Sequence, residues 1–410
     1  MGRSFFYISD GKLFLNEGNA SKEVRSSVLD SYVQKLRESA SRNEWKRSGE
    51  GARFTGAFEP AESAESRIAS VRSAVCCLGK HDGQLIYSIN IDGLTGIYSK
   101  SNLDSADEGI VISSADTSYR DFDIKNGSMA VSSAFAGESH IGVIKIGTGD
   151  CDIYTDGRSY DTEPVWSRND SDKLYFCTAG LAIQENPEDD RYDQSESVSY
   201  QQLIMDMAEK SAPVKRGPSS ICIMDISRGT MDEVLSDEKY DFLHPQSTSD
   251  GSLYYIKRPY RPQESGKRSL GCLLDVLLFP FRLIGALFGF FNFFSIKYSG
   301  KALSRTGEVK QKSREQMFID GNLIDAEREM KENVSKGDKF PGIIPRSWEL
   351  HRLMPDGSDK LIRKGVVAYR IDEETKDILI SNGSAILRRF ADGSEEKISD
   401  SQRVTYIFND

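Results

Sequence analysis

The chain is short of the residues that most often carry chemistry. Its four histidines (81, 140, 244 and 351) are scattered, and its six cysteines (76, 77, 151, 177, 222 and 272) include no CxxC pair and no histidine at zinc-ligand spacing. GxSxG is absent as well. These gaps exclude the common zinc frameworks and the α/β-hydrolase nucleophile, so no catalytic residue, metal or cofactor is expected. Most cysteines sit in apolar runs such as KLYFCTAG and SSICIMDI, where a reduced thiol behaves as a small hydrophobe. A basic excess is also missing. Lys and Arg total 53 against 63 Asp and Glu, a formal net charge of −10, which argues against nucleic acid as a partner. The opening MGRSFFYISDGKLFL has neither an apolar signal-peptide core nor a myristoylation pattern, so residence in the cytoplasm is the expectation.

What the chain has is turns and short apolar strands. Aromatics make up 10%, glycines number 34, and Asp-Gly and Asn-Gly pairs recur; that mixture favours many strands joined by tight turns. Three stretches align: YRDFDIKNGSMAVSS from Tyr119, YDTEPVWSRNDSDKLYFCT from Tyr160 and YDFLHPQSTSDGSLYYIK from Tyr240. Each has a tyrosine, a strand, a polar turn and a second strand. The first two tyrosines are 41 residues apart and the third follows 80 later, which fits one period carrying an insertion. Weaker copies precede and follow. A period near 40 with about four strands per unit is the signature of a β-propeller.

Strands at 4–15 lack a first partner, and RVTYIF at 403–408 forms a lone strand after the last full unit. Together they complete one blade and remove the exposed edges. The expected fold is all-β: a single six-bladed propeller over 1–410 whose terminal strands share a blade. Its other units lie near 67–115, 118–157, 160–237, 240–363 and 364–400. Two insertions interrupt it, 184–218 in blade 4 and 262–345 in blade 5, the second apolar and partly helical.

TEPVWSRNDSDKLYF and LHPQSTSDGSLYYI resemble the WD40-like repeat of TolB-type six-bladed propellers, with Arg168 and Thr248 standing where that pattern has the turn proline. The resemblance covers most of the chain outside the insertions. It implies a six-bladed propeller and a bacterial source. TolB proper is periplasmic and carries an N-terminal α/β domain, neither of which this sequence suggests. By the repeat alignment, Asp121, Glu163 and His244 open the innermost strands, with Arg72 and Arg403 near equivalent places. Residues there either line the channel mouth and bind a peptide or small polar ligand, or satisfy backbone groups at strand starts. GTGD (147–150) reads as a strand-connecting turn, and PEDDRYD (187–193) as a solvated linker.

The second insertion carries LLDVLLFPFRLIGALFGFFNFF, with only Asp275 and Arg282 charged. A single membrane crossing would divide one propeller between two sides, and Pro280 breaks the run into pieces too short to span. Basic residues flank it: Lys257, Arg258, Arg261, Lys267 and Arg268 before, six Lys and Arg from Lys297 to Arg314 after. They suit two ends in the cytoplasm beside anionic lipid. Gly271, Asp275, Arg282 and Gly289 form a narrow small-or-polar stripe, which either faces outward from a segment lying in the interface or marks where two short helices touch, so an in-plane or re-entrant segment is expected. Its contact residues are Leu274, Leu277, Leu278, Phe279, Phe281, Leu283, Ile284, Leu287, Phe288, Phe290, Phe291, Phe293 and Phe294. Residues 314–338 read as a polar helix returning to the blade. The resulting expectation is a non-catalytic scaffold or binding module at the inner face of a membrane, with a protein partner besides the lipid. The alternatives are a hydrolase or lyase at the channel mouth, and a soluble homo-oligomer assembled through the apolar segment.

Overall fold

Asp-Gly and Asn-Gly set the first strand pairs. β1 (Phe5–Ser9) turns into β2 (Lys12–Glu17) through Asp10–Gly11, with φ of 49° and 68°. Positive φ at both turn residues matches the right-handed twist of the strands it joins. Asp82–Gly83 and Asn126–Gly127 repeat the device. The computed structural model describes residues 4–18, 20–42, 68, 71, 74–91, 94–114, 116–135, 137–183, 214–261, 316–319 and 322–409.

After β3 (Ala20–Glu23) comes helix α1 (Ser27–Arg42). Blade 2 is β4 (Val75–His81), β5 (Gln84–Ile91), β6 (Leu94–Lys100) and β7 (Gly109–Ser114). Blade 3 is β8 (Ser118–Lys125), β9 (Ser128–Phe135), β10 (Glu138–Lys145) and β11 (Cys151–Ile153). Blade 4 begins with β12 (Thr162–Trp166) and β13 (Lys173–Thr178). A side hairpin follows, β14 (Leu181–Ile183) with β15 (Val214–Arg216), before β16 (Ser220–Asp225) and β17 (Thr230–Leu235) complete the sheet.

Blade 5 begins with β18 (Tyr240–Ser247) and β19 (Leu253–Pro259). The chain rejoins it through a hairpin, β20 (Gln316–Ile319) with β21 (Asn322–Asp325), and helix α2 (Ala326–Ser335). Then come β22 (Glu349–Leu353) and β23 (Asp359–Lys364). Blade 6 is β24 (Ala368–Ile371), β25 (Ile378–Ser381), β26 (Ile386–Arg389) and β27 (Glu395–Ser399). Finally β28 (Val404–Asn409) pairs antiparallel with β1, giving blade 1 the order β28-β1-β2-β3.

Strands β28, β4, β8, β12, β18 and β24 touch in sequence and return to the start. The molecule is a closed six-bladed propeller. Separate apolar clusters fill the blade interfaces. Cys77 and Ile86 of blade 2 meet Phe122 and Met129 of blade 3; Ala130 and Ile141 meet Trp166 and Phe176; Cys177 and Ile221 meet Phe242 and Tyr255. Blades 5 and 6 share Ile256, Leu350, Tyr369 and Ile380, and blades 6 and 1 share Leu379, Ile386, Phe5 and Ile407. Each sheet thus buries both faces against its neighbours, as a propeller requires.

Three connections are long: from β3 to β4, from β13 to β16, and from β19 to β22. All begin and end on the face where the innermost strands start, because alternate strands of every blade point that way. On the other face the described connections have eight residues or fewer. The chain divides into two units, residues 1–262 with 316–410, and residues 263–315. The second unit lies outside the described residues, and with it every apolar contact residue expected from Leu274 to Phe294. Among the described residues no helix is long and apolar enough to cross a membrane.

The segment expected to be a polar helix at 314–338 is instead a hairpin followed by ten helical residues. Ile319 and Ile324 are buried against Ile344, Trp348 and Val367, so burial on the blade decides for strands where charge content suggested a helix. Helix α2 starts only where Asp325 caps it, accepting the Arg328 N–H at 3.1 Å. Of the described cysteines, Cys77, Cys177 and Cys222 are buried while Cys151 in the short outer strand β11 is exposed; all are free.

Candidate functional site

Four inner strands bulge at the same level. The register slips between Val75 and Leu78, Tyr119 and Phe122, Thr162 and Val165, and Leu243 and Gln246. Each bulge takes two residues out of the ladder, and their N–H groups need other partners. In blades 2 and 3 a serine on the next strand answers the second residue: Cys77 N–H donates to Ser88 Oγ at 3.0 Å and Asp121 N–H to Ser132 Oγ at 3.1 Å. In blades 4 and 5 that residue is Pro164 or Pro245, which has no N–H, and the serine position is taken by Phe176 or Tyr255. Proline and aromatic replace donor and acceptor together.

The first bulge residues of those blades, Glu163 and His244, both have φ of 53°, costly for a side chain-bearing residue unless the surroundings hold it. Here they are held by the preceding blade. Asp121 accepts the backbone N–H of Glu163, and Glu163 Oε2 accepts the backbone N–H of His244 at 2.5 Å. Glu163 Oε1 also lies 3.2 Å from His244 Nδ1. Beneath them the Cys177 thiol donates towards Glu163 Oε2 at 3.3 Å and the Phe242 carbonyl at 3.5 Å, and Tyr369 Oη–H donates to the His244 carbonyl at 2.5 Å.

The structure therefore brings Asp121, Glu163 and His244 together and leaves Arg403 apart. Arg403 also has φ of 53°, but its guanidinium reaches outward to Asp10 at 2.9 Å, both groups about half exposed. Arg72 lies outside the described residues. By register, the residue equivalent to Glu163 and His244 is Arg120; Asp121 stands one place later in its bulge. The repeat alignment missed this offset because the third blade has no proline to mark it. It also missed Cys177 and Tyr369, for which the Glu-Pro and His-Pro pairs were the available signal.

Burial pushes the Asp121 carboxyl up, and the Glu163 charge adds to this, opposed by Arg120 and His244. Burial also drives the Cys177 thiol and the Tyr369 phenol far above their ordinary ranges, with Glu163 reinforcing both. Neither becomes a nucleophile or base near neutrality. The carboxylate oxygens are taken up accepting bonds from backbone N–H groups and the Cys177 thiol. Among the described residues no three His, Cys, Asp or Glu side chains are placed to hold a metal ion.

The flank of the second insertion is also committed. Arg258 is buried, 3.2 Å from Asp241, with its guanidinium 4.7 Å above the Trp348 ring. Lys257 Nζ lies 4.2 Å from the Tyr240 ring centre. Two of the five cations expected to face lipid on that side thus serve the blade. Only Arg261, among the described ones, is exposed.

No protein-family model matches the chain, and neither does any curated protein. Solved structures similar to it include TolB from Acinetobacter baumannii, at 9% identity and a TM-score of 0.46, covering 99% of this chain and 66% of that one. A chain of a nidogen–laminin complex matches at 8% identity and a TM-score of 0.45, covering 99% and 97%. The tricorn protease matches at 10% identity and a TM-score of 0.41; all of this chain is covered but only 34% of the protease. This chain spans about a third of the tricorn protease and about two thirds of that TolB. At such identities the likeness concerns the fold alone.

Proposed function

We propose that the protein is a non-catalytic binding and scaffolding propeller, held at the cytoplasmic face of a bacterial membrane by residues 270–294. The observation that supports this reading is the one-sidedness of the fold. All three long connections, including the one that carries the apolar run, open on a single face. An apolar run of this size in a polar chain calls for a membrane or a partner to cover it, and the described residues on either side, Tyr260 and Trp348, are tied to the same blade. The channel-mouth groups speak against a hydrolase or lyase, since Asp121 and Glu163 are already engaged by backbone N–H groups.

Co-sedimentation with vesicles of phosphatidylcholine and phosphatidylglycerol tests it. The full chain is expected in the pellet and a variant lacking 263–315 in the supernatant. The deletion stops at 315 because Ile319, Ile324 and Trp348 belong to the propeller core. A full chain that stays in the supernatant as large assemblies overturns the membrane reading in favour of self-association through the apolar segment.

A further inference from the structure

We infer that the propeller body meets an anionic bilayer with its insertion-bearing face, and that its own charge distribution sets this orientation; the inference rests on the membrane attachment proposed above. Two observations on opposite faces carry it. Around the bases of the two blade insertions, three exposed cations come from three different connections: Arg158 entering blade 4, Lys239 entering blade 5, and Arg261 after β19. Backbone bonds hold these connections together. Leu181 N–H donates to the Arg158 carbonyl at 3.1 Å, and Tyr260 N–H to the Lys239 carbonyl at 2.8 Å. Tyr260 Oη–H donates to the Arg216 carbonyl at 2.5 Å, while the Arg216 guanidinium covers Tyr160 at 4.8 Å. The stems of neighbouring blades are thus one surface rather than two.

One carboxylate of these connections is turned inward: Asp161 is buried, accepting Thr178 Oγ1–H at 2.6 Å and Ser159 Oγ–H at 3.0 Å. Asp156, Asp237 and Glu238 stay exposed beside the cations, Asp237 accepting the Lys239 N–H at 2.8 Å. The stem surface is thus balanced in charge, and the contrast lies with the opposite face.

The opposite mouth of the channel is ringed by the first turns of blades 2 to 6, at 82–83, 126–127, 167–172, 248–252 and 372–377. They hold eight carboxylates and two cations, and one of the cations, Arg168, is 2.9 Å from Asp123. Turn donors lower two of the carboxyls further: the Thr248 hydroxyl and Ser252 N–H bring Asp250 down to about 2, and the Asp172 N–H lowers Asp170. An anionic surface attracts each nearby Lys or Arg by about 1 kcal/mol and acts only within about one Debye length. The face in contact therefore decides the orientation, and the ring of turns is repelled.

Orientation is read with single labels. In a Cys151→Ser, Cys272→Ser background, a bimane fluorophore is placed at exposed positions on the two faces, Ser236→Cys beside the stems and Ser249→Cys on the acidic turns. Vesicles of phosphatidylcholine and phosphatidylglycerol carry a nitroxide headgroup quencher. Quenching at 236 with none at 249 is expected. Equal or reversed quenching on protein that pellets overturns the orientation and leaves attachment standing. Protein that does not pellet overturns the attachment and this inference with it. Independently, Arg158→Gln, Lys239→Gln and Arg261→Gln together should weaken binding to the anionic vesicles about fivefold per charge and leave binding to phosphatidylcholine alone unchanged; parental affinity for the anionic vesicles would refute the orientation.

Discussion

Glu163 concentrates several requirements in one side chain. Its backbone occupies a left-handed bulge, its N–H is taken by Asp121, and its carboxylate holds the His244 N–H. Truncation by Glu163→Ala leaves that buried N–H without its acceptor, which costs about 1–3 kcal/mol. Glu163→Gln keeps one acceptor oxygen and should lose less. Urea unfolding of the three proteins checks the order, and an alanine variant as stable as the parent would mean the bulge is held by the strand alone. Asp250 makes the matching case for pH. Its carboxyl falls from 3.8 to about 2, chiefly through the Thr248 hydroxyl. The folded state thus prefers the ionised form. Its stabilising effect is fully present above 3.8 and is lost as pH falls through about 2. Asp250→Asn should therefore be less stable than the parent at pH 7 and converge with it near pH 2, by the same unfolding measurement.

Helix α1 shows what an element gains from residues far away in sequence. Ser26 caps it, accepting the Leu29 N–H at 3.3 Å, and Leu29 and Val33 pack into the cluster between blades 1 and 2. Its first N–H groups are held by Glu108 from blade 2, which accepts Ser27 N–H and Val28 N–H, each at 3.1 Å. Lys100 lies 2.9 Å from the same carboxylate, both side chains 2% exposed. Burial pushes Glu108 up, but its bonds from Lys100, Tyr87 and Val28 bring it below the ordinary value. Glu108→Ala strands a buried ammonium and uncaps the helix, a loss of about 3–5 kcal/mol. Hydrogen exchange should report the α1 amides opening first, and protection equal to the parent would count against the role. None of this was legible in the sequence. The partner of Ser27 is 81 residues away, and the helix shows too short an apolar stripe to stand out. Turns were the legible part, because Asp-Gly and Asn-Gly encode positive φ directly. The hairpin at 316–325 was hidden because its apolar residues matter only once Trp348 and Ile344 cover them. The Arg258 cation looked available for the same reason, its ring and carboxylate partners being set by tertiary packing.

At the scale of the molecule, the repeat period and the two orphan terminal segments were enough to count six blades, since closure leaves no other partner for them. What the period could not reveal is polarity between faces. That follows from which connections lengthened, and the lengthened ones all share a side. On that side the starts of the innermost strands are stitched together by Asp121, Glu163 and His244 across three blades.

The pairing of β28 with β1 also fixes a timetable. β1 leaves the ribosome some 395 residues ahead of β28, so at about 5–20 residues per second the open edge of β1 waits on the order of 20–80 s for its partner. Phe6 and Ile8 are covered by blade 2, but Phe5 and Tyr7 pack against Val404, Ile407 and blade 6 and have no such cover until those residues are made. The strand that completes the propeller is thus made after every blade it joins, and until then β1 has only β2 beside it in its sheet.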